Sequence, residues 1–408
     1  MKLLTVNCGS SSIKLKVFDA ATQAVLAAGL LERLGEHESH WQQRRRREDG
    51  TFAVTERTAR VTDHRAGFAF IIGANAGDPV VTDESELLGI AHRVVHGGEA
   101  FRSPALVSDA VIAGIRDLEP LAPLHNPFSL LGMEIARERF PHVPQVAIFD
   151  TAFHHTLPPH AFHYALPTEA HSQHAIRRYG FHGTSHEYVA RAAARHLGQR
   201  LEQTSLITLH LGNGASAAAI QCGRSIDTSM GLTPLEGLVM GSRCGDLDPA
   251  IPFYLMRRAG EPADRVEALL NEQSGLKGLC GSNDMREIQQ RVRDGDARAG
   301  LALDVYCYRL KKYIGAYHAV LGRVDAVVFT GGIGENSALV RQRACAGLEH
   351  LGIRVDEMKN ETAAAAVAEI QPAGEGIKVL VIRTDEELEM ARQAIAVISR
   401  AGDSRAGV

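Results

Sequence analysis

The sequence predicts an α/β protein that consists of two similar halves. Two segments about two hundred residues apart follow one plan, since Thr5–Asp19 reads TVNCGSSSIKLKVFD and Ser205–Ile220 reads SLITLHLGNGASAAAI. Each has an apolar strand, a tight turn of Gly, Ser and Asn, and a second run that can form a strand. In both halves, strands come first and strand–helix alternation follows, which is the order of a duplicated α/β domain.

The first half, residues 1–150, opens with strands and continues with helices whose apolar residues recur at helical spacing. A polar pair of strands around residues 40–56 completes its opening meander. The other predicted elements are the strands Leu3–Val6, Ile13–Phe18, Val25–Leu30 and Val143–Phe149 and the helices Asp109–Leu118 and Pro127–Arg139.

The second half, residues 151–385, repeats this order, and the last helix, 386–408, is expected to pack back on the first domain. A hairpin return is expected near Gly223, and a buried strand runs into the sequence GGIGENS. The predicted elements are the strands 205–211, 215–220, Asp325–Thr330 and Lys378–Ile382, the helix Leu301–Val320 and a final helix from Asp385.

Length, charge and cysteine usage limit the functions that the chain can have. At 408 residues it exceeds what one core usually organises. Its net charge of −4 gives no reason to expect nucleic acid or acidic membranes, and the short basic run Arg44–Arg47 predicts a solvated strand or hairpin edge. No run is long enough for a signal peptide or a membrane span. The cysteines have no metal-site spacing, as in a reducing cytoplasm, and are Cys8, Cys222, Cys244, Cys280, Cys307 and Cys345.

Turns of small residues predict nucleotide binding. Both hairpin turns expose backbone N–H groups and short polar side chains, which form a cradle for phosphate oxygens. A third turn, with Gly331, Gly332 and Gly334, follows a buried strand and predicts a nucleoside site, where Asn336 caps the next helix or binds the nucleotide. A dinucleotide site with Asp356 on the ribose is a weaker alternative. No Walker A sequence is present, which excludes a P-loop NTPase.

Several segments concentrate Arg, His, Asp and Asn. Each also has an ordinary structural interpretation, because Asp often caps a helix and His is often a satisfied core residue. The residues concerned are Arg93 with His96, His125 with Asn126, Asp150, Phe181 with His182, and Pro234 with Arg243 and Asp246.

Together these motifs resemble the acetate and propionate kinase family. The matching sequences run in order over essentially the whole chain and are VNCGSSSIKLKVF, HRVVHGGE, LAPLHNP, FDTAFH, RRYGFHGTSH, HLGNGAS, DTSMGLTPLEGL, GDLDP and FTGGIGENS. The resemblance implies a duplicated actin-like, ribonuclease H-like fold with a hinge and a nucleotide cleft. It also implies a homodimer, ATP and ADP as substrates, Mg²⁺ with Mn²⁺ as an alternative ion, and a small carboxylate as the phosphoryl acceptor.

The resemblance assigns roles to individual residues. Asp150, His182, Arg243 and Arg93 correspond to catalytic residues, and Asn7 and Glu386 to metal contacts, although Glu387 is adjacent to Glu386 and leaves that choice open. The acyl group is expected against Val95, Leu124, Phe181 and Pro234, with Arg93 on the carboxylate. The expected nucleotide contacts are Ser10, Ser12, Lys14, His210, Leu211, Gly212, Asn213, Gly214, Asp284, Met285, Arg286, Gly332, Ile333, Gly334, Glu335 and Asn336.

The chemistry of carboxylate phosphorylation suits this residue set. A carboxylate that attacks a triphosphate brings two anions together, so charge stabilisation is the main requirement. Two guanidinium groups and a His donor supply it, and the acceptor needs no general base because it is already ionised. We therefore expect Asp150 to organise metal and water. Val95 leaves less space than Ala, so acetate is favoured over propionate.

The sequence departs from the family pattern at a few positions and leaves rival interpretations open. Phe128 adds bulk near the acyl side, and Met285 replaces an aromatic residue near the nucleotide. The rivals are a sugar or butyrate kinase and a non-enzymatic actin-like ATPase. A zinc site at His182 and His186 is disfavoured because the acid of H-E-x-x-H is missing.

Overall fold

The computed structural model describes residues 1–72, 81, 83–123, 125–374 and 376–406. The chain divides into two compact units. Unit 1 comprises Met1–Ala152 with Asp385–Val408, and unit 2 comprises Phe153–Thr384. No helix in the described part of the chain is long and apolar enough to cross a membrane.

Unit 1 contains a mixed sheet with the strand order β5-β4-β3-β2-β1-β6-β8-β7. The pairings β1–β6 and β6–β8 are parallel, and the other pairings are antiparallel. The strands are β1 Lys2–Gly9, β2 Ser12–Asp19, β3 Val25–Glu32, β4 Ser39–Arg46, β5 Phe52–Ala59, β6 Leu87–Val94, β7 Ala105–Leu106 and β8 Gln145–Phe149. The helices are α1 His64–Ile72, α2 Asp109–Asp117, α3 Asn126–Arg139 and the C-terminal α15 Glu386–Ala406.

Apolar residues on both faces of the β1–β2 hairpin explain how helices cover this sheet. On one face, residues such as Val6 and Ile13 form a core with Phe68 of α1 and Ile135 of α3. On the other face, Leu3 and its neighbours pack against α15. Burial on both faces stabilises the parallel strands in the middle of the sheet. It also fixes the start of α15 beside β2.

Unit 2 contains a mixed sheet with the strand order β11-β10-β9-β12-β14-β13. The strands are β9 Ser205–Leu211, β10 Ala215–Gln221, β11 Arg224–Thr228, β12 Ala326–Thr330, β13 Val367–Glu369 and β14 Lys378–Ile382. The helices are α4 Pro159–Phe162, α5 Thr168–His174, α6 Gly183–His196, α7 Ala250–Tyr254, α8 Ala263–Glu272, α9 Gly275–Cys280, α10 Met285–Arg293, α11 Ala297–Leu321, α12 Gly331–Asn336, α13 Ala338–Cys345 and α14 Glu357–Glu361.

The two sheets repeat one topology. In unit 1, β3-β2-β1-β6-β8-β7 has two antiparallel, two parallel and one antiparallel pairing, and β11-β10-β9-β12-β14-β13 in unit 2 has the same series. The first hairpin of each unit is one of the two glycine-bearing segments of the sequence. The prediction of a duplicated α/β domain is therefore confirmed.

Most predicted elements are found with small shifts of their ends. The predicted helix Leu301–Val320 is longer, because Asp296 caps it with hydrogen bonds to the N–H groups of Arg298 and Ala299. The predicted cap at Asn336 is wrong. Ser337 accepts the hydrogen bond from Val340 N and begins α13, whereas Asn336 Nδ2 donates to Gly332 O.

Candidate functional site

Each unit carries polar residues where its parallel strands end. In unit 1, Asn7 lies near the end of β1, Arg93 near the end of β6, and Asp150 follows β8. In unit 2, the strands β9, β12 and β14 end next to the two remaining glycine turns. The carboxyl ends of parallel strands are where open α/β sheets bind ligands. The two groups of residues are therefore the candidate functional residues.

Arg93 and Asp150 form a two-point ion pair in unit 1. Arg93 Nε donates to Asp150 Oδ1 at 3.0 Å, and Arg93 Nη2 donates to Oδ2 at 2.7 Å. Burial raises the pKa of Asp150, which is 2% exposed, and the charge of Arg93 acts against that rise. The pair leaves the remaining N–H donors of Arg93 available for a second anion.

Glu386 lies close enough to this pair to act on its charges. Burial lowers the pKa of Arg93, but Asp150 and, to a smaller extent, Glu386 raise it above its ordinary value. Burial is the main cause that raises the pKa of Asp150, and Glu386 adds to that rise. Two neighbouring carboxylates together with the amide of Asn7 are hard oxygen donors of the kind that Mg²⁺ takes, usually with only one or two carboxylates from the protein. This donor chemistry fits Mg²⁺. The described residues contain no group of three or more His, Cys, Asp or Glu side chains placed to hold a metal ion.

The β1–β2 hairpin presents the predicted phosphate contacts Ser10, Ser12 and Lys14. Ser10 is exposed, and Ser12 faces Gly9 across the turn. Lys14 forms an ion pair with Glu387, whose other oxygen lies 3.1 Å from Lys16 Nζ. Burial opposes ionisation of Glu387, but the two lysines outweigh it and lower its pKa to about 2. Glu387 therefore holds the lysines, and Glu386 is the glutamate whose charge acts on both Arg93 and Asp150.

Val95 is half-buried and directly follows β6. The next residue is fixed by a reciprocal pair of hydrogen bonds, from His96 N to Asn126 Oδ1 at 3.1 Å and from Asn126 Nδ2 to His96 O at 3.0 Å. Asn126 therefore orients the backbone beside Val95. The predicted acyl contact Leu124 lies outside the described residues.

The β9–β10 turn of unit 2 is surrounded by candidate catalytic side chains. A Cβ atom built on Gly214 would lie 3.5 Å from His182 Nε2 and 3.7 Å from Arg243 Nη1. The turn is held by hydrogen bonds from Gly212 N to Gly214 O at 3.0 Å and from Gly241 N to Asn213 O at 2.8 Å. The fold thus brings His182, Arg243 and the second hairpin turn together.

Arg243 has no carboxylate partner in the described part of the chain. Its Nη1 donates to Pro234 O at 3.0 Å and lies 3.7 Å from Met240 Sδ. Burial without a compensating negative charge lowers its pKa. A half-buried guanidinium that has further N–H donors and no carboxylate partner among the described residues can bind an anion.

The loop that carries Pro234 and Arg243 is anchored through Asp246. Asp246 Oδ1 accepts from Gly237 N at 2.8 Å, and Oδ2 accepts from Tyr313 Oη at 2.9 Å. Arg309 also donates to Gly237 O at 2.8 Å. The long helix α11, which carries Tyr313 and Arg309, therefore positions the loop.

His182 precedes α6 in a left-handed conformation with φ 56°. Its ring stacks on His210, with 4.3 Å between ring centroids and an interplanar angle of 26°. Its Nδ1 is hydrogen-bonded to Ser216 Oγ at 2.9 Å, and Ser216 Oγ is also 2.8 Å from His186 Nε2. His182 and His186 thus share a serine hydroxyl in this structure.

Phe181, a predicted acyl contact, is buried in unit 2. It is 1% exposed, and its carbonyl lies 3.0 Å from His154 Nε2.

The third glycine turn is open at Gly332. Gly332 is exposed, and a Cβ there would meet nothing within 4 Å. Glu335 Oε1 instead accepts from Gly331 N at 2.9 Å and from Thr384 N at 3.1 Å. The Glu335 side chain therefore holds the turn together.

The first turn of α10 carries one buried and one exposed side chain, Met285 and Arg286. Asp284 accepts from Arg286 N and pairs with the exposed Arg286 guanidinium, which lowers the Asp284 pKa to about 2. Met285 is only 5% exposed, so its side chain belongs to the core of unit 2. A nucleotide base would reach its backbone more easily than its thioether.

A model of the acetokinase family matches residues 2–392. The chain belongs to this family. It is 55% identical over 403 residues to an acetate kinase of Syntrophobacter fumaroxidans, covering 98% of each chain. It is 53% identical over 394 residues to an acetate kinase of Clavibacter michiganensis subsp. michiganensis, covering 97% of this chain and 98% of that one.

Solved structures of similar chains have the same fold. The chain matches a Porphyromonas gingivalis acetate kinase with a TM-score of 0.89 and 41% identity, over 97% of this chain and 99% of that one. It matches a Francisella tularensis propionate kinase with a TM-score of 0.87 and 38% identity, over 96% and 98%. The predicted family and the two-domain α/β actin-like fold class are confirmed.

Sequence reasoning missed Thr208 and Ser216, and it named His186 and Glu387 only as possible metal ligands. Thr208, His186 and Ser216 lie behind His182, and Glu387 lies between two lysines. Thr208 and Ser216 sit opposite Ala218 and His210 in the β9–β10 hairpin, and each lies between two apolar residues of its strand. A hydroxyl between apolar strand residues is a signal that could have found them.

Proposed function

We propose that the protein is an ATP:acetate phosphotransferase, which reversibly transfers the γ-phosphoryl group of ATP directly to acetate and forms acetyl phosphate and ADP. Membership of the acetokinase family supports this proposal. The observation that carries it is the position of Arg243 and His182 at Gly214. Arg243 lacks a carboxylate partner among the described residues, and its Nη1 nitrogen, an N–H donor, lies next to the turn.

The proposed chemistry depends on charge stabilisation. Arg93 binds the acetate carboxylate and keeps its geometry through Asp150. Arg243 and His182 donate hydrogen bonds to the oxygens of the phosphoryl group in transit, where preorganised donors act in a site of low dielectric constant. The acetate oxygen attacks phosphorus in line with the leaving ADP oxygen, so no enzyme-bound phosphoryl intermediate is needed.

Asn7, Glu386 and Asp150 are the residues that would hold Mg²⁺, with Mn²⁺ as an alternative ion. When bound, the ion neutralises charge on the nucleotide phosphates. Asp150 is already engaged with Arg93, so we assign it to metal and water organisation. Glu386 lies close enough to Arg93 for the two charges to interact.

The remaining predicted contacts keep their assignments as proposals. Val95, Leu124, Phe181 and Pro234 would contact the acyl group, and the small space beside Val95 favours acetate. Because one solved relative is a propionate kinase, propionate is the second candidate acceptor. The proposed nucleotide contacts are Ser10, Ser12, Lys14, His210–Gly214, Asp284–Arg286 and Gly332–Asn336.

We also propose a cytoplasmic homodimer of two-domain chains, with domain boundaries near residues 150 and 385. Free cysteines at all six positions support a reducing compartment. Exposed apolar residues support self-association, since Phe253 is 54% and Tyr254 is 65% exposed around α7. Sedimentation of wild-type protein and of the Phe253→Asp variant tests the dimer.

The direct test is an assay of ATP, acetate and Mg²⁺ with hydroxylamine, which traps an acyl phosphate as the hydroxamate. We expect hydroxamate from the wild type and a loss of about 10²- to 10³-fold for Arg243→Ala, the effect of removing one transition-state donor. Arg200→Ala, at an exposed arginine of unit 2 outside the proposed site, is the charge-matched control and should keep turnover. A wild type that forms no hydroxamate would exclude the proposed function.

A further inference from the structure

A buried chain of hydrogen bonds runs behind His182. Ser216 Oγ lies 2.9 Å from His182 Nδ1 and 2.8 Å from His186 Nε2, and Ser216 is 0% exposed. A hydroxyl has one proton. It can therefore donate a hydrogen bond to one of the two imidazoles, and it must accept a hydrogen bond from the other.

The chain continues to Thr208. His186 Nδ1 lies 2.7 Å from Thr208 Oγ1, and both residues are 0% exposed. Burial, together with the charges of His154 and His210, lowers the pKa of His186 well below its ordinary value. His186 is therefore neutral, with one N–H donor and one lone pair. Its tautomer sets the direction of every hydrogen bond in the chain.

Two directions are geometrically consistent. In the forward direction, the Thr208 hydroxyl donates to His186 Nδ1, His186 Nε2–H donates to Ser216 Oγ, and the Ser216 hydroxyl donates to His182 Nδ1. In the reverse direction, His182 Nδ1–H donates to Ser216, and the Thr208 hydroxyl accepts from His186. In the reverse direction the Thr208 hydroxyl proton has no acceptor within the hydrogen-bonded chain.

The surroundings of Thr208 favour the forward direction. Among the hydrogen bonds of the described residues, Thr208 Oγ1 has His186 as its sole side-chain partner. A buried hydroxyl proton without an acceptor costs about 1–3 kcal/mol. In the forward direction the protons of Thr208, His186 and Ser216 are all donated within the hydrogen-bonded chain, and His182 Nδ1 accepts. The proton of neutral His182 is then on Nε2, the atom beside Gly214 and Arg243.

We propose that Thr208, His186 and Ser216 form a relay that fixes His182 as an Nε2–H hydrogen-bond donor. The three are positioning residues, and the consequence for phosphoryl transfer rests on the proposed function. The relay makes His182 a donor to a phosphoryl oxygen without needing a positive charge on its ring. Stacking on His210 holds the ring plane, because His210 Nδ1 is itself 2.8 Å from Ser185 Oγ.

The first test reads the tautomer itself. Long-range ¹⁵N–¹H NMR of the full-length protein labelled at histidine nitrogens distinguishes a protonated Nε2 from a protonated Nδ1. The His182 signals are assigned by their absence in His182→Asn, since Asn tolerates the left-handed backbone at this position. We expect Nε2–H with an accepting Nδ1 in the wild type. A His182 that carries its proton on Nδ1 would overturn the relay.

The second test perturbs the relay away from the substrates. Ser216→Ala should lower kcat by about tenfold while the KM values for ATP and acetate stay within about twofold, because donor alignment matters most in the transition state. Thr208→Val, which replaces the hydroxyl with a methyl group, should lower kcat in the same direction but less. Thr208→Ser keeps the hydroxyl and should restore wild-type kcat.

The outcomes separate the relay from the proposed function. If Ser216→Ala and Thr208→Val both keep the wild-type kcat and the wild-type His182 signals, the relay is wrong. If Thr208→Ser loses as much kcat as Thr208→Val, the effect is one of packing and the relay is also wrong. A wild type without hydroxamate-forming activity would exclude the proposed function, and the NMR signals would still decide the relay.

Discussion

Arg93 and Asp150 are joined in a two-point ion pair because their strands, β6 and β8, are parallel neighbours. Residue Arg93 is level with Ile148 in the register, and Asp150 N donates to Val94 O at 2.9 Å. One strand therefore delivers the guanidinium and the next delivers the carboxylate to the same edge of the sheet. This arrangement lets Asp150 fix Arg93, and under the proposed function Asp150 also contributes an oxygen to a metal ion.

The Asp150→Asn variant tests the role of that carboxylate. We expect it to raise the Mg²⁺ concentration needed for half-maximal activity and to recover a substantial part of kcat in excess Mg²⁺, because the acceptor needs no general base. Asp109→Asn, at an exposed ion pair with Arg137, is the control. A variant that keeps the wild-type Mg²⁺ affinity but loses turnover would assign Asp150 a proton-transfer role instead.

Glu387→Gln should destabilise unit 1 in a pH-dependent manner. The folded pKa of Glu387 is about 2, below its ordinary 4.5, so its charge stabilises the fold above pH 4.5 and this contribution is lost as the pH falls towards 2. The pKa difference corresponds to roughly 3 kcal/mol. We expect urea unfolding to show this loss at pH 7 and a smaller difference between wild type and variant near pH 4.

A matched control for Glu387→Gln is Glu86→Gln. Glu86 pairs with Lys2 at 2.8 Å, but the two side chains are 35% and 29% exposed. Such pairs contribute at most about 1 kcal/mol. Equal losses of stability for the two variants at pH 7 would contradict the special position of Glu387 between two lysines.

Substitutions of two adjacent glycines in the third turn should affect folding and nucleotide binding separately. Gly331 has φ +76°, and a Cβ there would lie 2.8 Å from Leu211 O, so Gly331→Ala should lower the melting temperature. A Cβ at Gly332 would meet nothing within 4 Å. Gly332→Ala should keep the melting temperature but raise KM for ATP if the nucleotide lies against this backbone. An unchanged KM for ATP would remove Gly332 from the proposed nucleotide site.

Val95→Ala tests the acceptor preference. We expect the wild type to have a higher kcat/KM for acetate than for propionate. The variant should move that ratio towards propionate by a factor within about 10 to 200, since one methylene corresponds to about 1–3 kcal/mol. Val54→Ala, at an exposed valine of β5, is the control. A wild type that prefers propionate by tenfold would contradict the choice of acetate.

Much of the fold could be predicted because its signals are local. Consecutive residues form the hairpins Thr5–Asp19 and Ser205–Ile220 and the apolar strand before Gly331. The repeated order of these elements predicts the duplicated sheet. The ends of elements depend on more than local sequence, as Asn336 shows, because Ser337 and Asn336 are both competent caps and only the chain direction after α12 selects one.

The fold class, the family and the identity of the side chains able to bind anions follow from the sequence alone, because motif composition and hydrophobic periodicity are properties of consecutive residues. The folded chain is needed to show that Ser216 joins His182 to His186, and that Glu387 binds Lys14 and Lys16 while the charge of Glu386 acts on Arg93. These pairings connect residues far apart in the chain. Strand register and helix packing create them, and a buried hydroxyl or carboxylate acquires its chemical role from the neighbours that exclude water from it.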